Sequence, residues 1–150
     1  MGNKQILKNY KIAFLCSRKC PSDIILKTYD WAIEQREKGN CVISGFHSKI
    51  EKDVLHYLLK GTQSVILALA RGLKKRLEPG LEEALNKNRL LLITPFGREV
   101  ERVTTETANQ RNRLMAELAG EIFVAYASQG GNIEKLIADI SRTGKNNFIL

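Results

Sequence analysis

A chain of 150 residues, 43% of them hydrophobic, has the size and the apolar content for one domain with a genuine core. Its longest apolar runs, Ser64 to Ala70 and Leu90 to Ile93, are too short to cross a bilayer, and Met1 to Tyr10 lacks the apolar stretch of a secretory signal, so a cytoplasmic protein is expected. Lys and Arg number 24 against 16 Asp and Glu, a formal charge of +8 that favours anionic partners, although a basic surface that only aids solubility has the same composition.

The first apolar run, Lys11 to Ser17, is nearly continuous rather than alternating, as in a parallel strand covered on both faces. A helix is expected after Cys20-Pro21, with Ser22 or Asp23 as its cap, burying Ile25, Tyr29, Ala32 and Ile33 and stopping at Gly39-Asn40. Cys41 to Phe46 is the second strand. A helix from about Ile50 to Lys60 follows, with Val54, Leu55, Leu58 and Leu59 on one face. Ser64 to Ala70 is the third strand, and Pro79 to Asn86 a short helix with proline in its first turn. Arg89 to Phe96 is the fourth strand, and a helix from Thr104 or Thr105 to Gly120 precedes the fifth, Glu121 to Ser128. A last helix, Asn132 to about Arg142, presents Ile133, Leu136, Ile137 and Ile140, and Asn147 to Leu150 is a candidate sixth strand. Such alternation gives an α/β fold: a doubly wound, mostly parallel sheet of five or six strands with helices on both faces, Rossmann-like and without an internal domain boundary.

Three cysteines, Cys16, Cys20 and Cys41, form no disulfide framework, and His47 and His56 supply no second paired spacing for zinc, so reduced thiols and no metal site are expected.

In an open parallel sheet, ligands bind beyond the carboxyl ends of the strands. The first strand is followed by Ser17-Arg18-Lys19, the second by Ser44-Gly45-Phe46-His47, and the third by Arg71-Gly72. Thr94-Pro95-Phe96-Gly97 follows the fourth and Ser128-Gln129-Gly130-Gly131-Asn132 the fifth. Glycines allow close backbone approach, hydroxyls and amides donate hydrogen bonds, and helix N-termini receive anions, so these loops predict a phosphate site. No G-x-G-x-x-G and no lysine P-loop occurs, which argues against an ordinary dinucleotide or P-loop nucleotide site. Arg111-Asn112-Arg113 offers two guanidiniums around an amide, a set able to clamp phosphate oxygens and read a base edge. His47 has no evident orienting partner in the sequence, so binding is expected of it rather than catalysis.

Ser44-Gly45, Glu51, Thr94-Pro95-Phe96, Arg111-Asn112-Arg113 and the strand Ile122 to Ala127 together resemble the Rossmann-like domain of the DNA-processing protein A (Smf) family, from about Lys11 to Ile140. The Arg-Asn-Arg is the most specific of these elements. The resemblance implies a place in a wider superfamily that includes single-strand DNA-binding recombination mediators and nucleoside-monophosphate phosphoribohydrolases. It puts Ser44, Gly45, Arg111, Asn112 and Arg113 at a pocket, with Ser128, Gly130 and Gly131 on its far wall. The family's Ala-Arg-Gly-Ile-Asp after Ser-Gly is here Phe46-His47-Ser48-Lys49-Ile50-Glu51, which loses an arginine and a glycine.

The expected function is a binding module for single-stranded DNA or another nucleotide ligand, without a cofactor, with Phe46 or Phe96 available to stack on a base. Phosphoribohydrolase chemistry is the alternative: Gly130-Gly131 matches part of those enzymes' phosphate loop, but its proline, third glycine and threonine are missing and Glu134 falls too early. A degenerate member that docks on an acidic protein is the third reading. The fold leaves room for a homodimer, whose surface the sequence does not identify.

Overall fold

The computed structural model describes residues 1–142 and the backbone of 147–149. A 3-10 turn at Lys4–Lys8 leads into β1 (Lys11–Cys16), α1 (Ser22–Lys38), β2 (Cys41–Ser44), α2 (Lys49–Leu59) and β3 (Val65–Ala68). Then come α3 (Pro79–Asn86), β4 (Leu90–Ile93), α4 (Thr105–Leu118), β5 (Glu121–Tyr126), α5 (Asn132–Ser141) and β6 (Asn147–Ile149). Every expected strand is present, but the first five each end one to three residues before the expected end, at Cys16, Ser44, Ala68, Ile93 and Tyr126, where the chain turns into the loops at the carboxyl edge. Leu150, the expected end of the sixth strand, lies outside the described residues.

The six strands form one sheet in the order β4-β3-β2-β1-β5-β6, and each neighbouring pair is parallel. The chain steps outward from β1 to β4 and then returns to the other side of β1. Right-handed crossovers put helices on opposite faces when the direction of travel reverses. Accordingly, α1, α2 and α3 cover one face, where Phe14, Val42, Val54, Leu58 and Leu92 pack. The 3-10 turn, α4 and α5 cover the other, against Leu15, Ile43, Ile66, Met115 and Leu136. Alternate residues of each strand enter alternate cores, which explains the continuous apolar runs. The N-terminus closes the outer edge of β4: Asn3 N–H donates to Leu90 O at 3.1 Å, and Leu92 N–H to Met1 O at 2.8 Å.

Two local expectations change. Pro21, not Ser22 or Asp23, is the N-cap of α1, and no side chain caps it, because proline fixes the extended turn one residue before the serine. The fully buried positions of α1 are Thr28, Ala32 and Gln35, with Ile25, Tyr29 and Ile33 only partly covered. Thr28 is tolerated inside because its hydroxyl donates to Ile24 O at 2.7 Å, and Gln35 because its Oε1 accepts from Asn40 Nδ2 at 2.7 Å.

Candidate functional site

Strand order reverses between β1 and β5, and neighbouring loops diverge at such a point. Their pairing is regular up to Leu15↔Val124 and then slips, so that Cys16 faces Tyr126. Beyond the slip the two loops are tied: Ser17 N–H donates to Tyr126 O at 2.8 Å, and Ser128 N–H to Ser17 Oγ at 2.9 Å. Above this tie opens a cavity of about 630 Å³, whose walls include Ser17, Arg18, His47, Arg111, Asn112 and Ser128. It lies within the size range of small-ligand sites.

Three helices begin at this cavity. Ser48 caps α2, Thr104 caps α4 and Gly131 precedes α5, and all three residues line it. The first two ends carry capping boxes. No side-chain hydrogen bond caps α5, so its first turn presents backbone N–H groups and the positive end of the helix dipole to the cavity. Gly130 turns the preceding loop at φ 73°, a left-handed conformation that favours glycine, and its N–H donates to Glu134 Oε1 at 3.1 Å.

The turn after β2 rests on Ser44, which is fully buried. Its hydroxyl donates to Phe14 O at 3.1 Å and accepts from Phe46 N–H at 3.4 Å, holding Phe46 at φ 45°. Glu51 closes the turn from below: one oxygen accepts from Ser48 N–H at 2.9 Å and His47 N–H at 3.3 Å, and the other lies 3.3 Å from the Ser44 hydroxyl. A capping role thus accounts for Glu51, the only acid among the described residues that line the cavity. Phe46, expected to offer a ring to a base, is instead 5% exposed and packs in the core beneath the turn.

Arg111 is 6% exposed. Its Nη1 donates to Ala68 O, at the end of β3, at 3.2 Å, and its Nε to Asn112 Oδ1 at 2.9 Å. The guanidinium lies against the bare backbone of Gly45, in space that a side chain there would occupy. Among the described residues no ion pair reaches it. Burial lowers its pKa, while the Glu51 charge opposes the shift. A guanidinium nevertheless stays protonated in proteins, so a nearly buried cation remains in the wall.

The sequence-predicted residues therefore separate. Ser17, Arg18, His47, Arg111, Asn112, Ser128 and Gly131 meet at the cavity. Ser44 supports it from beneath. Gly45 and Arg71 line a second cavity on the far side of Arg111. Thr94 lines neither: its hydroxyl donates to Arg71 O at 2.6 Å and accepts from Phe96 N–H at 3.1 Å, tying two loops together. Arg113 points away, with Nη2 3.0 Å from Asp139 Oδ2 on α5, because residues two apart on a helix lie on nearly opposite sides. The two guanidiniums accordingly do not form the expected clamp.

Sequence reading passed over Thr104, Thr105, Ala108 and Asn109, which also line the cavity. The signal was present, since stepping back from Arg111 by three and then four residues along one helix face reaches Ala108 and Thr104. Cys16 lies at the cavity floor, where burial foremost, and then Cys20, push its thiol pKa far up and keep it protonated.

Among solved structures, DNA processing protein A of Streptococcus pneumoniae superposes with a TM-score of 0.79 at 21% identity, over 99% of this chain and 52% of that one. The chain thus spans about half the length of that protein. DNA processing protein A of Helicobacter pylori, described for its single-stranded DNA binding mode, gives 0.78 at 16% identity, over 99% and 68%. A molybdenum cofactor binding protein from Rippkaea orientalis gives 0.66 at 10% identity, over 94% and 76%. At these identities the likeness carries the fold alone. No curated protein sequence matches the chain. The family model of DNA recombination-mediator protein A does, over residues 1–136, a span from the N-terminal edge segment into α5 that takes in every wall of the cavity, and the chain belongs to that family.

Proposed function

We propose that the chain is a binding module for single-stranded nucleic acid, or for its nucleotide constituents, and that it takes a phosphate at the first cavity. The observation that carries this reading is Arg111: a nearly buried guanidinium, with two of its N–H groups on protein acceptors and no carboxylate in ion-pair contact among the described residues, favours an anion at the cavity it lines. Arg18 adds a second cation at the mouth, and the uncapped start of α5 adds N–H donors. Membership of the recombination-mediator family and the single-stranded DNA binding described for the Helicobacter pylori protein favour a polynucleotide over a free phosphate metabolite.

Fluorescence anisotropy of a labelled oligothymidylate, at two salt concentrations and with duplex and thymidine monophosphate as competitors, tests the proposal. Binding is expected to weaken with salt, to be competed by the mononucleotide, and to be lost in Arg111→Ala that retains a native circular dichroism spectrum. Failure of the wild-type chain to bind the oligonucleotide at low salt would overturn the nucleic-acid reading.

A further inference from the structure

Arg111 and His47 line two cavities, not one. The second, of about 430 Å³, lies beyond the ends of β2 and β3, between α2 and α3. Its character differs from the first. Leu55, Leu59, Leu67, Leu69 and Leu81 supply apolar surface, with Phe46 beside them. Around this surface stand Lys52, Arg71 and Lys74, against a single acid among the described residues, Glu78. Arg71 begins a strongly basic loop, Arg71-Gly72-Leu73-Lys74-Lys75-Arg76, and its buried Nε has no hydrogen-bond partner among the described residues. An apolar pocket ringed by cations matches a flat, weakly polar ring joined to a phosphate. The first cavity, lined by hydroxyls, amides and helix N-termini, is better suited to phosphate than to a base.

We propose that the second cavity is a further nucleotide subsite, occupied by the neighbouring nucleotide of the strand whose phosphate sits in the first. This rests on the proposed function. The base lies on the leucine floor, and its phosphate is held by Arg71, Lys52 and Lys74. The strand crosses the partition formed by Arg111 and His47, so the buried guanidinium serves the phosphates on both sides of it. The floor offers side-chain carbon rather than hydrogen-bonding edges, so the subsite accepts any base.

Gly80 provides the test. It lines the second cavity near the start of α3, and a Cβ placed there meets only Leu59 Cδ1, at 3.5 Å, an ordinary contact. Gly80→Phe therefore adds a ring at the cavity wall without a clash at the backbone, and Lys74→Ala removes one exposed cation. With the full chain, binding of thymidine monophosphate and of a labelled oligothymidylate is measured for the wild type and both variants. Gly80→Phe is expected to weaken the oligonucleotide about tenfold and the mononucleotide less, because a single nucleotide keeps its phosphate contacts in the first cavity. Lys74→Ala is expected to reduce the slope of log affinity against log salt by about 0.7. Oligonucleotide affinity and salt slope unchanged in both variants would overturn the subsite and leave the proposed function standing. Absence of oligonucleotide binding to the wild type would overturn both.

Discussion

The guanidinium of Arg111 lies where a side chain on Gly45 would have to be: a Cβ there would overlap its Nη1 and Cζ. Two short motifs, Ser44-Gly45 after β2 and Arg111-Asn112 in α4, are therefore halves of one contact. Serine anchors the turn, glycine leaves it bare, and arginine fills the space with charge.

Gly45→Ala should be destabilising although it adds a single methyl group. The added carbon has to displace a nearly buried guanidinium from its bond to Ala68 O, and overpacking of this kind costs about 2 kcal/mol. Urea denaturation measures the loss. Nucleotide affinity should fall as well, since Arg111 can no longer hold its place between the cavities.

Arg111 and Arg113 should differ in their effects. Arg111→Ala is expected to abolish nucleotide binding. Arg113→Ala breaks an exposed pair with Asp139, costs about 0.5 kcal/mol of stability, and should weaken binding much less. Parallel titrations of the two single variants make the comparison, and equal losses would contradict the assignment of the buried guanidinium as the anion site.

At Glu51, charge and capping can be separated. Glu51→Ala removes the acceptor for the Ser48 and His47 N–H groups and should cost about 1 kcal/mol in a urea titration. Glu51→Gln retains an amide oxygen at the cap but removes the carboxylate charge that acts on Arg111, so it should bind thymidine monophosphate more tightly than the wild type.

His47 provides a pH dependence. Partial desolvation foremost, then Arg111, Arg18 and Lys52, hold its pKa below the ordinary 6.5, against an opposing pull from Glu51. The unfolded chain therefore takes up this proton first, so the contribution of His47 to stability is present above pH 6.5 and is lost as the pH falls through the folded value. Binding has the opposite sign: a phosphate in the cavity favours the imidazolium, and affinity should rise as the pH drops below 6.5. Titrations of the labelled oligothymidylate between pH 5 and 8, whose phosphodiesters keep one charge throughout, should show that rise, and His47→Gln should flatten it.

Much of the architecture could be read from one dimension. Continuous apolar runs such as Leu90 to Ile93 mark strands buried on both sides, and the gaps between them fit one helix each, so a parallel α/β sheet follows from hydrophobic patterning. The loops beyond the strand ends, and with them Ser17, Arg18, His47 and Ser128, follow from the general rule that ligands bind there. The packing of α1 was less legible, since Thr28 and Gln35 are buried through hydrogen bonds that composition does not announce.

Tertiary structure alone decided which face of α4 meets the cavities. Helix periodicity puts Arg111 and Arg113 on opposite sides, but only the contacts with Ala68 and Gly45 show which of them is inside. One becomes a nearly buried cation between two cavities and the other an exposed partner of Asp139. Phe46 reads as an available ring, yet the turn fixed by Ser44 sends it into the core. Local sequence determines which elements form, because backbone periodicity and side-chain polarity act over a few residues. The assembly of a site from β1, β2, α4 and β5 depends on strand order, and strand order is set by contacts between segments far apart in the chain.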